Sequence, residues 1–212
     1  MKPVESLPSR QRGCRMSAVI VETLREPAQR AAALEDLARL RIAVFREWPY
    51  LYDGALDYER RYLAHFLETP AAVLVVARDG ARIVGVATAS PMRGQEAAFR
   101  APFETRGTDI ARLFYFGESV LLPDYRGKGL GHAFFDAREA AARAAGAAAS
   151  CFCGVIRPAD HALRPAGARD LAPFWRKRGY APLEGAIAHY DWKDIDQPGE
   201  TAHPMQFWHR AL

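Results

Sequence analysis

Cysteine is scarce in this chain: its 212 residues include three, Cys14, Cys151 and Cys153. An odd, sparse set argues against a disulfide framework and fits a reducing, cytoplasmic setting. Cys151 and Cys153 lie two apart on an apolar run, so on a strand they share a face. They read as small packing residues. No second Cys or His pair stands at ligand spacing, so no metal is expected. Long apolar runs are missing as well. None approaches the ~20 residues of a membrane helix, and no membrane partner is expected. Residues 1–15 lack an apolar core, which excludes a secretory signal there. Apart from the alanines of 137–149, no low-complexity tract or repeat interrupts the chain.

What is present is an ordinary globular composition, half hydrophobic and a quarter charged. The length suits one domain of 16–212 behind a flexible arm of 1–15, with Met16 as an alternative start. The net charge is +4 and the pI about 9.1, which admits a nucleic-acid reading. Location argues against it. Residues 1–15 sum to +3, 16–156 to zero, 157–178 to +4 and 179–212 to −3. The folded part therefore carries one local basic segment, better suited to an anionic cofactor or acidic acceptor than to a nucleic acid.

Periodicity predicts a strand over 17–24, a helix from Pro27 ending at Trp48-Pro49, and a second helix over 56–69. Asp79-Gly80 between β-rich runs predicts a hairpin of 71–78 with 81–90. Residues 91–110 are mixed and polar, with room for one short helix. Strands follow at 112–122 and 148–156, separated by an alanine-rich helix stopping near Gly146. A loop over 157–169, a short helix over 170–178 and strands over 186–192 and 204–209 complete an α/β (α+β) chain with a mixed sheet.

The most informative stretch is Arg126-Gly127-Lys128-Gly129-Leu130-Gly131, between a strand and a helix. Glycines let backbone approach a ligand closely, and the free amides and positive dipole end of the helix favour phosphate. The spacing fits neither a P-loop nor a dinucleotide fingerprint. It fits Arg-x-x-Gly-x-Gly.

With that pattern, Phe116–Gly146 resembles the GNAT superfamily of acyl-CoA-dependent N-acetyltransferases. Pro123 and Arg126–Gly131 match its pyrophosphate loop. Pro173–Tyr180 (PFWRKRGY) is similar to its Phe-Tyr-x-x-x-Gly-Phe helix end, and Met205–Trp208 to its last strand. Pattern and element order cover about residues 17–212. The resemblance implies a mostly antiparallel sheet of about seven strands, flanked by helices, with a splayed parallel pair at 112–122 and 148–156. It implies acetyl-CoA as co-substrate. Backbone at Ser119, Val120 and Leu121 would pair with the pantetheine. The amides of Arg126, Gly127, Lys128, Gly129, Leu130 and Gly131, with His132, would hold the pyrophosphate. Phe174 and Lys177 would lie at the far side, although Phe174 also reads as core.

The chemistry needs a neutral amine, a base for its proton, a donor for the oxyanion and a route for the thiolate. Glu118 is the candidate base, or else a glutamate paired with an arginine. The Val120 amide is the expected oxyanion donor. Many family members carry Tyr where this chain has Trp175, and indole cannot protonate a thiolate. Tyr115 is the alternative acid. The usual Asn is replaced by Ala168. On the acceptor side, Tyr50, Tyr52 and Asp53 follow Trp48-Pro49 between the first helices, where the family builds its acceptor pocket. Aromatics there suit a cation, and Trp48 reads as a plug. Arg157, with Arg164 and Arg169, would select an acidic acceptor or screen phosphates. No cysteine has an activating partner, so direct transfer to the primary amine of a small-molecule or amino-acid-like acceptor in a ternary complex is expected. The competing reading is a non-catalytic acyl-CoA sensor. A homodimer pairing through Phe207–His209 at a sheet edge is an open option.

Overall fold

The computed structural model describes residues 18–212. The expected arm, Cys14 and Met16 lie outside the described residues. Seven strands form one sheet: β1 (Ile20–Leu24), β2 (Val73–Asp79), β3 (Arg82–Pro91), β4 (Leu113–Leu121), β5 (Ala149–Val155), β6 (Ala181–Lys193) and β7 (Glu200–Ala211). Their order is β1-β2-β3-β4-β5-β7-β6. Every neighbouring pair is antiparallel except β4–β5. The mixed sheet with one parallel pair is as expected. Five helices flank it: α1 (Pro27–Phe45), α2 (Leu56–Glu68), α3 (Ala97–Glu104), α4 (Leu130–Ala144) and α5 (Ala172–Lys177).

Local chemistry explains the boundaries. Pro27 opens α1, and Glu26 with Gln29 closes a capping box. Gly80, Gly146 and Gly179 take the left-handed conformation at the β2–β3 turn and after α4 and α5. Asp170 accepts a hydrogen bond from the Ala172 amide at 2.8 Å, starting α5. β6 and β7 run longer than the pattern predicts. Pro182, Gly185 and Pro204 punctuate the sequence, but a register shift between Pro182 and Ile187 absorbs the interruption.

Leu37, Leu40 and Leu63 bury one face of β1–β4 beneath α1 and α2. Phe134 and Phe135 of α4 cover the other. β7 pairs with both β5 and β6, His209 facing Cys151 on one side and Ala181 on the other. Phe207–His209 is therefore interior, and the edge pairing expected of it is corrected: the free edges belong to β1 and β6.

β4 is irregular along both of its neighbours. Its ladder with β5 covers only Leu113–Tyr115, opposite Ala149–Cys151, and then stops. Against β3 it carries a bulge, since Ser119 faces Ala87 while Phe116 faces Ala89. Gly117 and Glu118 thus oppose Thr88 alone. A Cβ on Gly117 would lie 2.5 Å from the Thr88 hydroxyl, so glycine is what allows this approach.

Candidate active site

Side chains alternate along a strand, so residues three apart should face opposite sides of a sheet. The bulge cancels that alternation. Tyr115 and Glu118 therefore share a face, and both line a cavity of about 400 Å³ beneath α1, α2 and α3. The cavity lies where β4 and β5 part. Tyr50, Tyr52 and Asp53, offered above for the acceptor, line it. Arg41, Phe45, Tyr58, Tyr62, Glu96, Phe99, Cys153, Tyr190, Trp192 and Lys193 also line it, and sequence reading missed them. Tyr190 and Trp192 alternate on β6, a signal visible in the sequence. Arg41 and Tyr62 sit on separate helices and give no local sign.

Glu118 is buried. Its Oε2 accepts from the Arg41 guanidinium at 2.8 Å. Arg41 also donates to Glu59, which is fully buried. Oε1 of Glu118 and Oε1 of Glu59 are buried with no hydrogen-bond partner. Burial opposes the charge on Arg41, but Glu118, then Tyr62 and Glu59, outweigh it and raise its pKa. The guanidinium also lies 4.6 Å from the Tyr62 ring centre and 5.2 Å from that of Phe45. Glu118 is thus arginine-paired, and it is buried in the cavity wall.

The Tyr115 hydroxyl lies 3.3 Å from Cys153 Sγ. Burial, then Cys153, lifts Tyr115 well above the usual tyrosine range, so it stays protonated at neutral pH. Burial likewise pushes the Cys153 thiol up to about 12, although Tyr115 pulls it down.

Leu122 donates to the Val84 carbonyl at 3.0 Å. Antiparallel alternation then turns the Val120 amide towards β3 as well and leaves Ser119 and Leu121 facing the gap. The Leu121 carbonyl confirms this phase, accepting from Arg126 Nε on the open side at 3.0 Å. The expectation for Val120 is therefore corrected: its amide serves the ladder and its side chain is core. Ser119 supplies the free donor nearest the bulge.

Past β4, Gly127 and Gly129 take φ of +77° and +84°, and a Cβ on either would meet open space. The backbone there is exposed to a ligand. Lys128 and Arg126 are exposed beside it, Arg126 held at 2.8 Å by Glu47. Leu130 and Gly131 begin α4, where amides have no intrahelical acceptor. His132 is corrected, because its amide already donates to Gly129 O at 2.9 Å and its ring packs 5.0 Å from Phe174. Phe174 is a packing residue against His132 and Phe135. Lys177 is exposed on α5. Trp175 packs between Phe152 and Trp208, each at 5.0 Å. A Cβ on Gly154 would be 3.0 Å from it, so it packs over β5, and it is not among the residues lining the Glu118 cavity.

Arg157 is the clearest departure. It donates to both Asp194 oxygens, at 2.6 and 2.8 Å, and to the carbonyls of Pro49 and Tyr50 at 2.8 and 2.6 Å. It fixes the loop carrying Tyr50 and is not available to an acidic acceptor. Arg164 likewise turns back to the Ala159 carbonyl at 2.9 Å. Among the described residues, no group of three His, Cys, Asp or Glu could hold a metal, and no helix is long and apolar enough to cross a membrane.

None of the curated proteins compared matches the chain. Solved structures do. The ribosomal-protein-alanine N-acetyltransferase of Brucella melitensis aligns with a TM-score of 0.56 at 14% identity, over 91% of this chain and 99% of its own. YncA of Salmonella typhimurium, solved with its cofactor acetyl-CoA, aligns at 0.54 and 14%, over 92% and 95%. A GCN5-related N-acetyltransferase of Kribbella flavida aligns at 0.54 and 17%, over 91% and 98%. At these identities the likeness is one of fold. The sequence profile of the acetyltransferase (GNAT) family matches residues 37–166, more than half of the chain and including the β4 bulge, the glycine loop and the cavity's α1 and α2 walls. On the strength of that match, the chain belongs to the acetyltransferase (GNAT) family.

Proposed function

We propose that this protein moves an acetyl group from acetyl-CoA to the primary amine of a small molecule, by direct attack in a ternary complex. The observation that carries this reading is the convergence of Glu118, Tyr115 and free β4 amides on one cavity, beside a loop open to a diphosphate. The residues fit the donor. Gly127–Gly131 present accessible backbone and a helix N-terminus to the pyrophosphate. Ser119 and Leu121 present strand amides beyond the last β4–β5 pair.

The bound donor supplies an electrophilic thioester carbon. Glu118, in the cavity wall, takes the proton that the attacking ammonium must lose. The Ser119 amide donates to the carbonyl oxygen as charge develops there. The departing sulfur takes up the second proton that the acetylated nitrogen must lose, and Tyr115, held protonated by burial, donates a hydrogen bond to that sulfur as it leaves. Cys153, a neutral thiol near neutrality, is no nucleophile, which supports direct transfer over an acyl-enzyme.

A second reading, acyl-CoA binding without chemistry, is favoured by one observation: Trp175 packs over β5, outside the cavity lining. Thiol release from acetyl-CoA across a panel of amines decides. Release that requires an amine and is lost in Glu118→Gln supports the enzyme. Tight CoA binding with no amine consumed supports the sensor.

A further inference from the structure

The buried cluster at the cavity floor does not balance its charge. Glu59 and Glu118 share a single cation, Arg41. Glu118 keeps one buried oxygen with no partner, and the residue belongs to the cavity wall, while Glu59 is also approached by the Tyr52 hydroxyl. A surplus buried negative charge is costly unless it meets a cation. The rest of the lining repeats the sign. Glu96, Asp191 and Glu200 join Glu118, against two lining cations, while Asp53 is offset by Arg46 at 3.0 Å as well as by Lys193. Both cations are already engaged, Arg41 by the two glutamates and Lys193 by Asp53 at 2.9 Å. Arg157, which sequence reading offered to a carboxylate, is spent on Asp194.

Between floor and rim the walls are rings. Six tyrosines, two phenylalanines and one tryptophan line the space. Faces of such rings attract cations and stack on flat apolar groups.

We propose that the acceptor is a monocationic primary amine on an aromatic body, with no carboxylate of its own, seated with its nitrogen towards Glu118. As a statement about the acceptor it rests on the acetyltransferase reading. As a statement about binding it stands alone. An amino acid would carry its carboxylate into a site whose cations are all engaged.

Calorimetry on the full chain, without acyl donor, tests it with tyramine as probe. Tyramine binds at least tenfold more tightly than tyrosine, than the uncharged 4-hydroxyphenylethanol, and than butylamine. A ratio under tenfold in any comparison overturns the proposal. Glu118→Gln loses at least tenfold of the tyramine affinity while its affinity for 4-hydroxyphenylethanol holds, a difference that a merely structural glutamate would not produce. Unchanged tyramine affinity in that variant overturns the seat at Glu118. Should the variant fail to fold, the ligand panel decides alone. The two readings fail separately. Tyramine binding with no acetyl transfer to any amine removes the enzyme and leaves this site. Tyrosine acetylated as fast as tyramine removes this site and leaves the enzyme.

Discussion

At Glu118 one carboxylate oxygen holds Arg41 and the other has no partner. Glutamine fills the same space without the charge, so Glu118→Gln isolates the proton-accepting role. Its kcat/KM should fall about 10²–10⁴-fold in a thiol-release assay, the range of a lost general base. Tyr115→Phe keeps the ring on Phe99, at 5.5 Å, and removes only the hydroxyl. Its kcat should fall about tenfold or more, with KM for the amine little changed. Cys153→Ala should hold its activity within about threefold, because a thiol pushed up to about 12 is not a nucleophile near neutral pH. Glu118 and Tyr115 were legible in the sequence because both precede the glycine loop on an apolar strand. Arg41 was not. Nothing local to α1 says that its partners come from α2 and β4. Arg157 was legible as a cation but misread in role, because its partner Asp194 lies 37 residues away.

The elements are held to one another by buried polar ties as well as by apolar packing. Glu139 of α4 accepts from Arg178 at 2.9 Å, from Arg210 of β7 at 3.1 Å and from the Tyr180 hydroxyl at 3.2 Å. That one carboxylate fixes α5 and β7 to the helix that begins at the glycine loop. Glu139→Ala should destabilise the fold by about 2 kcal/mol, because it removes the charged hydrogen bonds to Arg178, which keeps only Asp136, and to the half-buried Arg210. Denaturant unfolding reads the loss. Helices, hairpin and glycine loop were legible through caps, Asp-Gly and spacing, all of which act locally. The β4 bulge was hidden. Gly117 marks it, but its cause is Thr88 on another strand. Without the bulge, Tyr115 and Glu118 would face opposite sides, so the site's central juxtaposition is a tertiary fact. The interior place of β7 was hidden for the same reason, since strand order is a property of the sheet.

Across the molecule, burial is the largest influence on six tyrosines: Tyr50, Tyr52, Tyr62, Tyr115, Tyr180 and Tyr190. It raises all of them. Unfolded tyrosines ionise near 10. Below that pH both states keep their protons, and this contribution to stability is fully present. As pH rises past about 10, the unfolded chain sheds protons that the folded chain keeps, and stability falls. Tyrosinate absorbance should therefore lag in the native protein and then rise together with the loss of circular dichroism. A smooth titration near 10 with structure intact would contradict it.

The early end of the β4–β5 ladder, after Tyr115, has a mechanical consequence. The sheet is two plates riveted at one end: β1–β4 on one side, and β5, β7 and β6 on the other. Glu118 and Tyr115 belong to the first plate, Cys153, Tyr190 and Trp192 to the second. The acceptor's space is therefore measured between plates, and a rod wedged in their gap sets its width. Filling the gap gauges the space for the amine, so a bound donor should tighten amine binding that already occurs without it. Calorimetry of tyramine in the presence of CoA, reading a higher affinity than in its absence, would register that coupling.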